Sequence, residues 1–298
     1  LGEDLKGRAI TLGNFDGVHL GHQALLRETQ KIAEQDHLTS LALTYHPNPA
    51  IVLGKKNDFQ YLMDLDARQA KIKSLGIQEV DVLPFTVELS QMEAETFLDS
   101  ILLQKYQAKH IIIGFNHCFG KGRRGNFELL ESLSKNNNFK VTVVKPIYFK
   151  EIKISSSLIR DFLKNGDIKN ANSCLGANFS VTGKVIPGRK DGRKLGYPTA
   201  NLDLTEEIVI PGKGVYATLT DGRPSMTNVG NKPTFGEESQ SIETHILDYD
   251  NDLYGKILKL EFIHKIRDIE KFPNLEALIQ ELGRDEIATR KILSDLTK

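Results

Sequence analysis

The sequence predicts an α/β protein in two domains: a parallel sheet flanked by helices, then a small antiparallel barrel closed by a C-terminal helix. Three observations carry this reading. Through about residue 145, strand-like apolar runs alternate with helical stretches, the pattern of a parallel sheet covered on both faces. Beyond residue 177 the period changes to short β-like runs between turns such as Asp221-Gly222 and Asn251-Asp252, the spacing of a small barrel. A chain of 298 residues also has the length of two ordinary domains. The domains are expected at 1–176 and 177–298.

Composition excludes several classes. Lys+Arg and Asp+Glu balance at 39 each, which argues against nucleic acid or an anionic membrane as partner. No apolar run approaches the ~20 residues that span a bilayer, and nothing near Leu1 reads as a signal segment. Cys118 and Cys174 fit neither a metal spacing nor a disulfide framework, so a reduced, cytoplasmic setting is expected.

Each element follows from a local pattern. Residues 9–12 form a buried first strand, and Gln23-Ala24-Leu25-Leu26-Arg27 opens an amphipathic helix. Residues 40–45 read as the second strand. Ala67, Ala70, Ile72 and Leu75 mark a helix over 66–75 that Gly76 stops. A strand over 80–83 ends at Pro84, a helix covers 93–106, and His110-Ile111-Ile112-Ile113-Gly114 reads as a strand buried on both faces. A helix over 127–133 and a strand over 141–144 follow. A serine of the run 155–157 caps a helix carrying Leu158, Ile159, Phe162 and Leu163; Asp167 caps another that Gly176 ends. Barrel strands are expected at 179–185, 215–219, 226–229, 242–247 and 258–263. Leu275, Leu278, Ile279 and Leu282 form the apolar stripe of the last helix.

Ligands bind beyond the carboxyl ends of parallel strands, and the stretch Gly13-Asn14-Phe15-Asp16-Gly17-Val18-His19-Leu20-Gly21-His22 lies at such an end. Gly13 and Gly17 let the backbone turn and approach a ligand closely. The helix that follows offers unpaired N–H groups and a positive dipole end. His19 and His22, three apart, share one helical face. Together these make a pocket for a nucleotide polyphosphate. Two further strand-end segments are the proline-stiffened Thr44-Tyr45-His46-Pro47-Asn48-Pro49 and the loop 114–125, where four glycines and three cations suit phosphate. The charges past Lys121 read as a solvated surface, and Cys118 as a small filler. In Ser155-Ser156-Ser157-Leu158-Ile159-Arg160, hydroxyls and a fixed charge gather where capping needs one serine. In the second half, residues 183–201 hold four glycines and five cations. Thr199 and Asn201, two apart on an extended segment, face one side; two neutral oxygens suit Mg²⁺, which leans on water and phosphate for its other ligands.

The H-x-G-H of the first loop resembles the nucleotidyltransferase superfamily, and its longer form resembles the FMN adenylyltransferase half of bacterial FAD synthetases. Gly192-Arg193-Lys194-Leu195-Gly196-Tyr197-Pro198-Thr199-Ala200-Asn201 resembles the riboflavin kinase signature. More of that pattern follows at Asn228-Val229-Gly230-Asn231-Lys232-Pro233-Thr234, Glu243-Thr244-His245-Ile246-Leu247-Asp248, Leu253-Tyr254-Gly255 and 267–272. The resemblance covers nearly the whole chain. It implies a Rossmann-like nucleotidyltransferase domain and a riboflavin kinase barrel that together phosphorylate riboflavin to FMN and adenylylate FMN to FAD, with ATP as donor both times.

By that likeness the first domain holds ATP with Gly13, Asn14, Phe15, Gly21 and the catalytic His19 and His22. Ser156, Ser157 and Arg160 form the counterpart of the Lys-Met-Ser-Lys-Ser loop, and Asn116 contacts the flavin. The second domain holds ATP with Gly183, Gly188, Arg193, Thr199 and Asn201, the last two also binding Mg²⁺. Glu243 is the base that phosphoryl transfer to an alcohol requires, and Arg267 and Phe272 flank the flavin. A second Mg²⁺ is expected where charge develops in the adenylyl transition state. The chain departs from the family at His46, Asn48 and Cys118, where an acid, a histidine and an arginine are common. Two rivals therefore stay open: a riboflavin kinase with a degenerate first domain, and a flavin-binding regulator without turnover.

Overall fold

The computed structural model describes residues 7–54, 59–188, 192, 195–204, 207–231 and 240–295. They form two compact units, Leu1–Phe59 with Asp64–Ser155, and Gln60–Met63 with Ser156–Lys298.

The first unit is a parallel sheet of β1 (Arg8–Gly13), β2 (Thr39–His46), β3 (Glu79–Pro84), β4 (Ala108–Gly114) and β5 (Lys140–Val144), in the order β3-β2-β1-β4-β5. Helices α1 (Leu20–Gln35), α2 (Pro49–Val52), α3 (Leu65–Ser74), α4 (Val87–Ser90), α5 (Ala94–Thr96) and α6 (Phe127–Ser134) connect and cover the strands. One sheet face, with Ile10, Leu12, Leu41, Leu43, Ile111 and Ile113, packs with Phe97, Leu98 and Leu102. The alternate residues Ala9, Thr11, Ala42 and Ile112 point the other way and are fully buried. Helix α1 packs on β1, β2 and β4. The stretch read as one helix over 93–106 is a turn of α5 continued by wider π-helical turns at Phe97–Lys105. A small hairpin, β6 (Tyr148–Phe149) with β7 (Ile152–Lys153), adds two strands that the periodicity does not announce.

The second unit is a closed barrel of β8 (Phe179–Ile186), β9 (Ala200–Leu204), β10 (Gly214–Thr220), β11 (Arg223–Asn231), β12 (Gln240–Ile246) and β13 (Ile257–Arg267), ordered β10-β11-β12-β9-β8-β13. Strand β9 is a strand in its own right, beyond the extended site segment expected there. It joins β12 to β8, with Ala200 and Leu202 buried and Asp203 exposed. Helices α7 (Ser156–Lys164) and α8 (Ile168–Leu175) belong to this unit by packing, although the change in sequence period comes later, near residue 177. Their ties explain it: the Gly212 N–H donates to the Leu163 carbonyl at 2.8 Å, and the Asn172 amide donates to the Phe262 carbonyl at 2.9 Å.

Helix α9 (Leu275–Ser294), capped by the Asn274 side chain, packs on β10, β11 and β13. Its buried seam is Asp285, Thr289 and Leu293, not the expected stripe: Leu275 and Ile279 are exposed. Only Leu278 and Leu282 of that stripe turn inward, onto a cavity. The barrel interior, in turn, is partly polar. Thr218, Thr220, Ser225, Thr227 and Thr244 are fully buried. Their hydroxyls bond to one another, Thr227 to Thr244 at 2.9 Å and Thr218 to Thr227 and to Ser225 at 2.8 Å each. Buried hydroxyls are tolerated only when paired, and here they pair among themselves. Replacing Thr227→Val keeps the shape but takes one partner from each of Thr218 and Thr244. Urea unfolding should show a loss of about 1–3 kcal/mol; an unchanged midpoint would mean that the network contributes nothing.

Candidate active sites

In the first unit the chain runs outward through β1, β2 and β3, then returns to β4 on the other side of β1. The strand order therefore reverses between β1 and β4, and ligands of open α/β sheets bind beyond that point. The loops after Gly13 and Gly114 both emerge there. Phe15 (φ 48°) and Val18 (φ 39°) hold left-handed backbone, uncommon without glycine, and both are fully buried. The Phe15 ring fills the space beside Gly13, where a Cβ would meet it at 3.1 Å.

Helix α1 begins at Leu20, earlier than the run from Gln23 suggests, because His19 caps it. Its Nδ1 accepts the His22 N–H at 3.3 Å, in place of the usual serine or aspartate. That bond leaves the neutral His19 proton on Nε2. The two imidazoles stack with centroids 3.7 Å apart and planes 14° apart, and Phe15 meets His22 edge-on at 5.3 Å. Gly21 permits this, since a Cβ there would lie 3.1 Å from the His19 ring. Burial, then His19, then Arg68 hold the His22 imidazole well below its ordinary value. Its Nδ1 is buried without a hydrogen-bond partner among the described residues.

Arg68 is the residue that sequence reasoning missed. The helix expected over 66–75 counts Ala67 and Ala70 among its apolar positions, but both are exposed and α3 buries Arg68 and Ile72. Arg68 is 1% exposed and donates to the Asn14 carbonyl at 3.1 Å and the Tyr45 carbonyl at 3.3 Å. The Thr44 hydroxyl donates to the same Asn14 carbonyl at 3.0 Å. A fixed cation thus ties the loop to the end of β2. The i, i+4 spacing of Arg68 and Ile72 is the only trace in the sequence, and small alanines mask it.

The remaining predicted residues are less closely gathered. Asn116 is exposed in the turn after β4. Beside it, burial first and Arg123 second push the His117 imidazole down to about 4. Lys121 and Arg124 pair with Glu93 at 3.5 and 3.9 Å. Asn48 caps α2, its side chain accepting the Ala50 N–H at 2.9 Å. Ser156 and Ser157 open α7 within the second unit, where Arg160 donates to the Gln60 carbonyl at 2.6 Å.

In the second unit, strand register assembles the site. Asn228 pairs with Glu243 and Glu243 with Asn201, so the three form one row across β11, β12 and β9. A cavity of about 430 Å³ is lined by Thr199, Asn228, Glu243, Arg267 and Phe272, together with Leu278, Leu282 and Asp285 of α9. Arg267 reaches Asp285 through two nitrogens, at 2.9 and 2.8 Å, and stands over the Phe272 ring at 5.5 Å. That pairing raises the guanidinium further above its ordinary value, and Asp285 is 2% exposed. The Arg267 charge is therefore answered within the protein. Glycines come close where a ligand would sit: a Cβ on Gly188 would fall 2.2 Å from the Asn201 amide, and one on Gly192 3.4 Å from the Thr199 hydroxyl. Gly183 lies in β8, pressed against the Asp203 carbonyl. Arg193 and the Lys232–Thr234 part of the Asn-Val-Gly loop lie outside the described residues.

Comparison with known proteins now bears on both sites. The FAD synthetase family model matches residues 2–158, and the riboflavin kinase model matches 175–293. The chain belongs to the bifunctional riboflavin kinase/FMN adenylyltransferase family. A bifunctional riboflavin kinase/FMN adenylyltransferase of Listeria monocytogenes is 34% identical, with 97% of this chain and 93% of the relative covered. One from Bacillus subtilis is 33% identical, with 99% and 96% covered. A crystal structure of a protein described as a macrolide-efflux protein of Streptococcus pneumoniae is 31% identical, covers 97% of this chain and 95% of its own, and has a TM-score of 0.88. In this member of the bifunctional family, no helix among the described residues is long and apolar enough to cross a membrane. Membership favours two activities over a lone kinase or a regulator without turnover.

The depressed imidazoles give a pH dependence with a definite sign. An unfolded chain protonates His22 and His117 near pH 6.5, the folded first unit only at lower pH. Stability is therefore complete above that value and falls as pH drops through it, by at most about 1.4 kcal/mol per pH unit for each imidazole. Urea unfolding between pH 7.5 and 5 should show the decline; a flat profile would contradict it. Arg68→Met should cost FMN adenylylation about tenfold or more by loosening the Asn14 carbonyl, leaving riboflavin phosphorylation intact in the same assay.

Proposed function

We propose that this chain makes FAD from riboflavin in two ATP-dependent steps, one proper to each domain, with the functional division near residue 177. The observation that carries the reading is the row Asn228–Glu243–Asn201 beside a cavity that also holds Thr199, Arg267 and Phe272. A carboxylate next to neutral oxygen donors is what phosphorylation of an alcohol requires.

In the barrel, Glu243 takes the proton of the ribityl 5′-hydroxyl as that oxygen attacks the γ-phosphorus of ATP. The bond to ADP breaks as the new ester forms. Phe272 and the planar face of Arg267 orient the isoalloxazine ring; with its charge matched by Asp285, Arg267 offers stacking rather than net charge. The donor set fits Mg²⁺: Thr199 and Asn201 are neutral oxygen ligands, and the nearby glycines leave room that a Cβ would fill. Held by Thr199 and Asn201, the ion would supply charge neutralisation for the phosphates. Gly183, Gly188 and Arg193 complete the proposed nucleotide contacts.

In the first domain the FMN phosphate attacks the α-phosphorus of ATP and pyrophosphate leaves. A phosphate is already a nucleophile, so no base is needed, and the protein contributes position and donors. The α1 N-terminus, His19 and His22 steady the triphosphate, with Gly13, Asn14, Phe15 and Gly21 shaping the approach. A neutral His22 acts through hydrogen bonding rather than through charge, and its buried Nδ1 supports a ligand contact. Ser156, Ser157 and Arg160 are assigned to ATP phosphates, and Asn116 to the flavin, on the family pattern alone. Two free cysteines and a net charge of zero support a reducing, cytoplasmic setting with small-molecule partners only.

Incubation with riboflavin, ATP and Mg²⁺, followed by separation of flavins, tests the whole reading. Riboflavin should pass to FMN and then to FAD. Glu243→Gln should slow FMN formation about a hundredfold or more while still converting supplied FMN to FAD; His22→Ala should do the reverse. FMN that never proceeds to FAD, or a Glu243→Gln chain that phosphorylates riboflavin at the wild-type rate, contradicts it.

A further inference from the structure

Thr199 stands one residue ahead of the ladder that would hold it, since β9 pairing with β12 begins at Ala200 opposite Thr244. Pro198 before it has no N–H to extend that ladder. Its carbonyl is instead taken up by a side chain of β12: His245 Nδ1 lies 2.7 Å from the Pro198 oxygen. A carbonyl only accepts, so Nδ1 carries the proton, which fixes the neutral tautomer. Tyr197 meets the same imidazole edge-on, 5.3 Å between centroids at 73°, and its N–H donates to the Gly192 carbonyl at 2.9 Å. Residues 197–199 thus run between an imidazole clamp and a glycine turn, with Thr199 at the end. His245 is two residues from Glu243 on one strand, so both face the cavity that Thr199 lines.

We propose that His245 is a positioning residue for the kinase reaction: through the Pro198 carbonyl it sets where the Thr199 hydroxyl stands relative to Glu243. It touches neither the transferred phosphoryl group nor the hydroxyl that receives it. The inference rests on the kinase reading of this cavity. One segment and one base on the same strand are thereby held in fixed relation, so a loose clamp would weaken nucleotide binding before it impaired flavin binding.

Asparagine can place its amide nitrogen where histidine has Nδ1, whereas glutamine reaches only the Nε2 position, and this difference makes the test. In the full chain, calorimetric binding of Mg·ADP should weaken about five- to tenfold in His245→Ala, the loss of one hydrogen bond. The KM for Mg·ATP should rise with it, while the KM for riboflavin stays within twofold. His245→Asn should restore binding and His245→Gln should not. Conversion of supplied FMN to FAD should be unaffected, which reports that the first domain is folded, and the unchanged KM for riboflavin reports that the barrel is. Nitrogen-15 spectra of the wild type should show His245 protonated on Nδ1. An Nε2–H tautomer, equal Mg·ADP binding by wild type and His245→Ala, or rescue by Gln as good as by Asn would overturn the proposal alone. A wild-type chain that binds no Mg·ADP would overturn the kinase reading and this proposal with it.

Discussion

A slip of one residue in β12 would turn Glu243 into the barrel and Thr244 out of it. Strand side chains alternate with a period of two, so register alone decides which face each residue serves. Here both faces are committed. Inside, Thr244 closes a ring of hydroxyls with Thr220 and Thr227; outside, Glu243 sits between Asn228 and Asn201. The interior network makes the slipped register costly, because it would leave buried hydroxyls without partners. The polar interior therefore holds the row Asn228–Glu243–Asn201 in register on the outer face.

The first unit meets the same demand through a different device. In the loop after β1 the bulky side chains fold under the backbone. Phe15 and Val18 turn inward on left-handed backbone, and the Asn14 carbonyl turns inward to Arg68 and Thr44. At the surface of the loop stand the exposed Asn14 and the half-buried His22, with His19 buried beside it at the start of α1. His19 caps the helix and His22 stands on its first turn, so the site and the helix terminus are one structure. Burial first, then His19, with Arg68 adding last, hold the His22 imidazole well below its ordinary value.

Several charges that composition leaves open are answered within the protein. Arg267 is held by Asp285, Arg160 by the Gln60 carbonyl, and Lys121 and Arg124 by Glu93. The departures at Asn48 and Cys118 are similarly absorbed: Asn48 caps a helix, and Cys118 lies by the Asn116 carbonyl. On the proposed reading, phosphate handling in each unit would fall chiefly on backbone, glycine and neutral side chains, which need no counter-charge when no nucleotide is bound.

The order of strands and helices, the change from parallel sheet to barrel, and the family motifs of both halves were legible because periodicity and short motifs are local properties of a chain. Strand β9 was half-hidden, since only five residues, Ala200–Leu204, carry its alternation. Arg68 and the seam of α9 were not legible: alanine is neutral as to burial, and whether Leu275 or Asp285 faces inward depends on which strands lie beneath the helix. The sequence by itself determined the family, the two-part architecture and the residue types that each loop offers. Only the tertiary structure decided which groups meet, that Arg267 belongs to Asp285, that Pro198 belongs to His245, and that a buried arginine underlies Asn14, because such pairings join residues far apart in the chain and are selected by packing rather than by any local pattern.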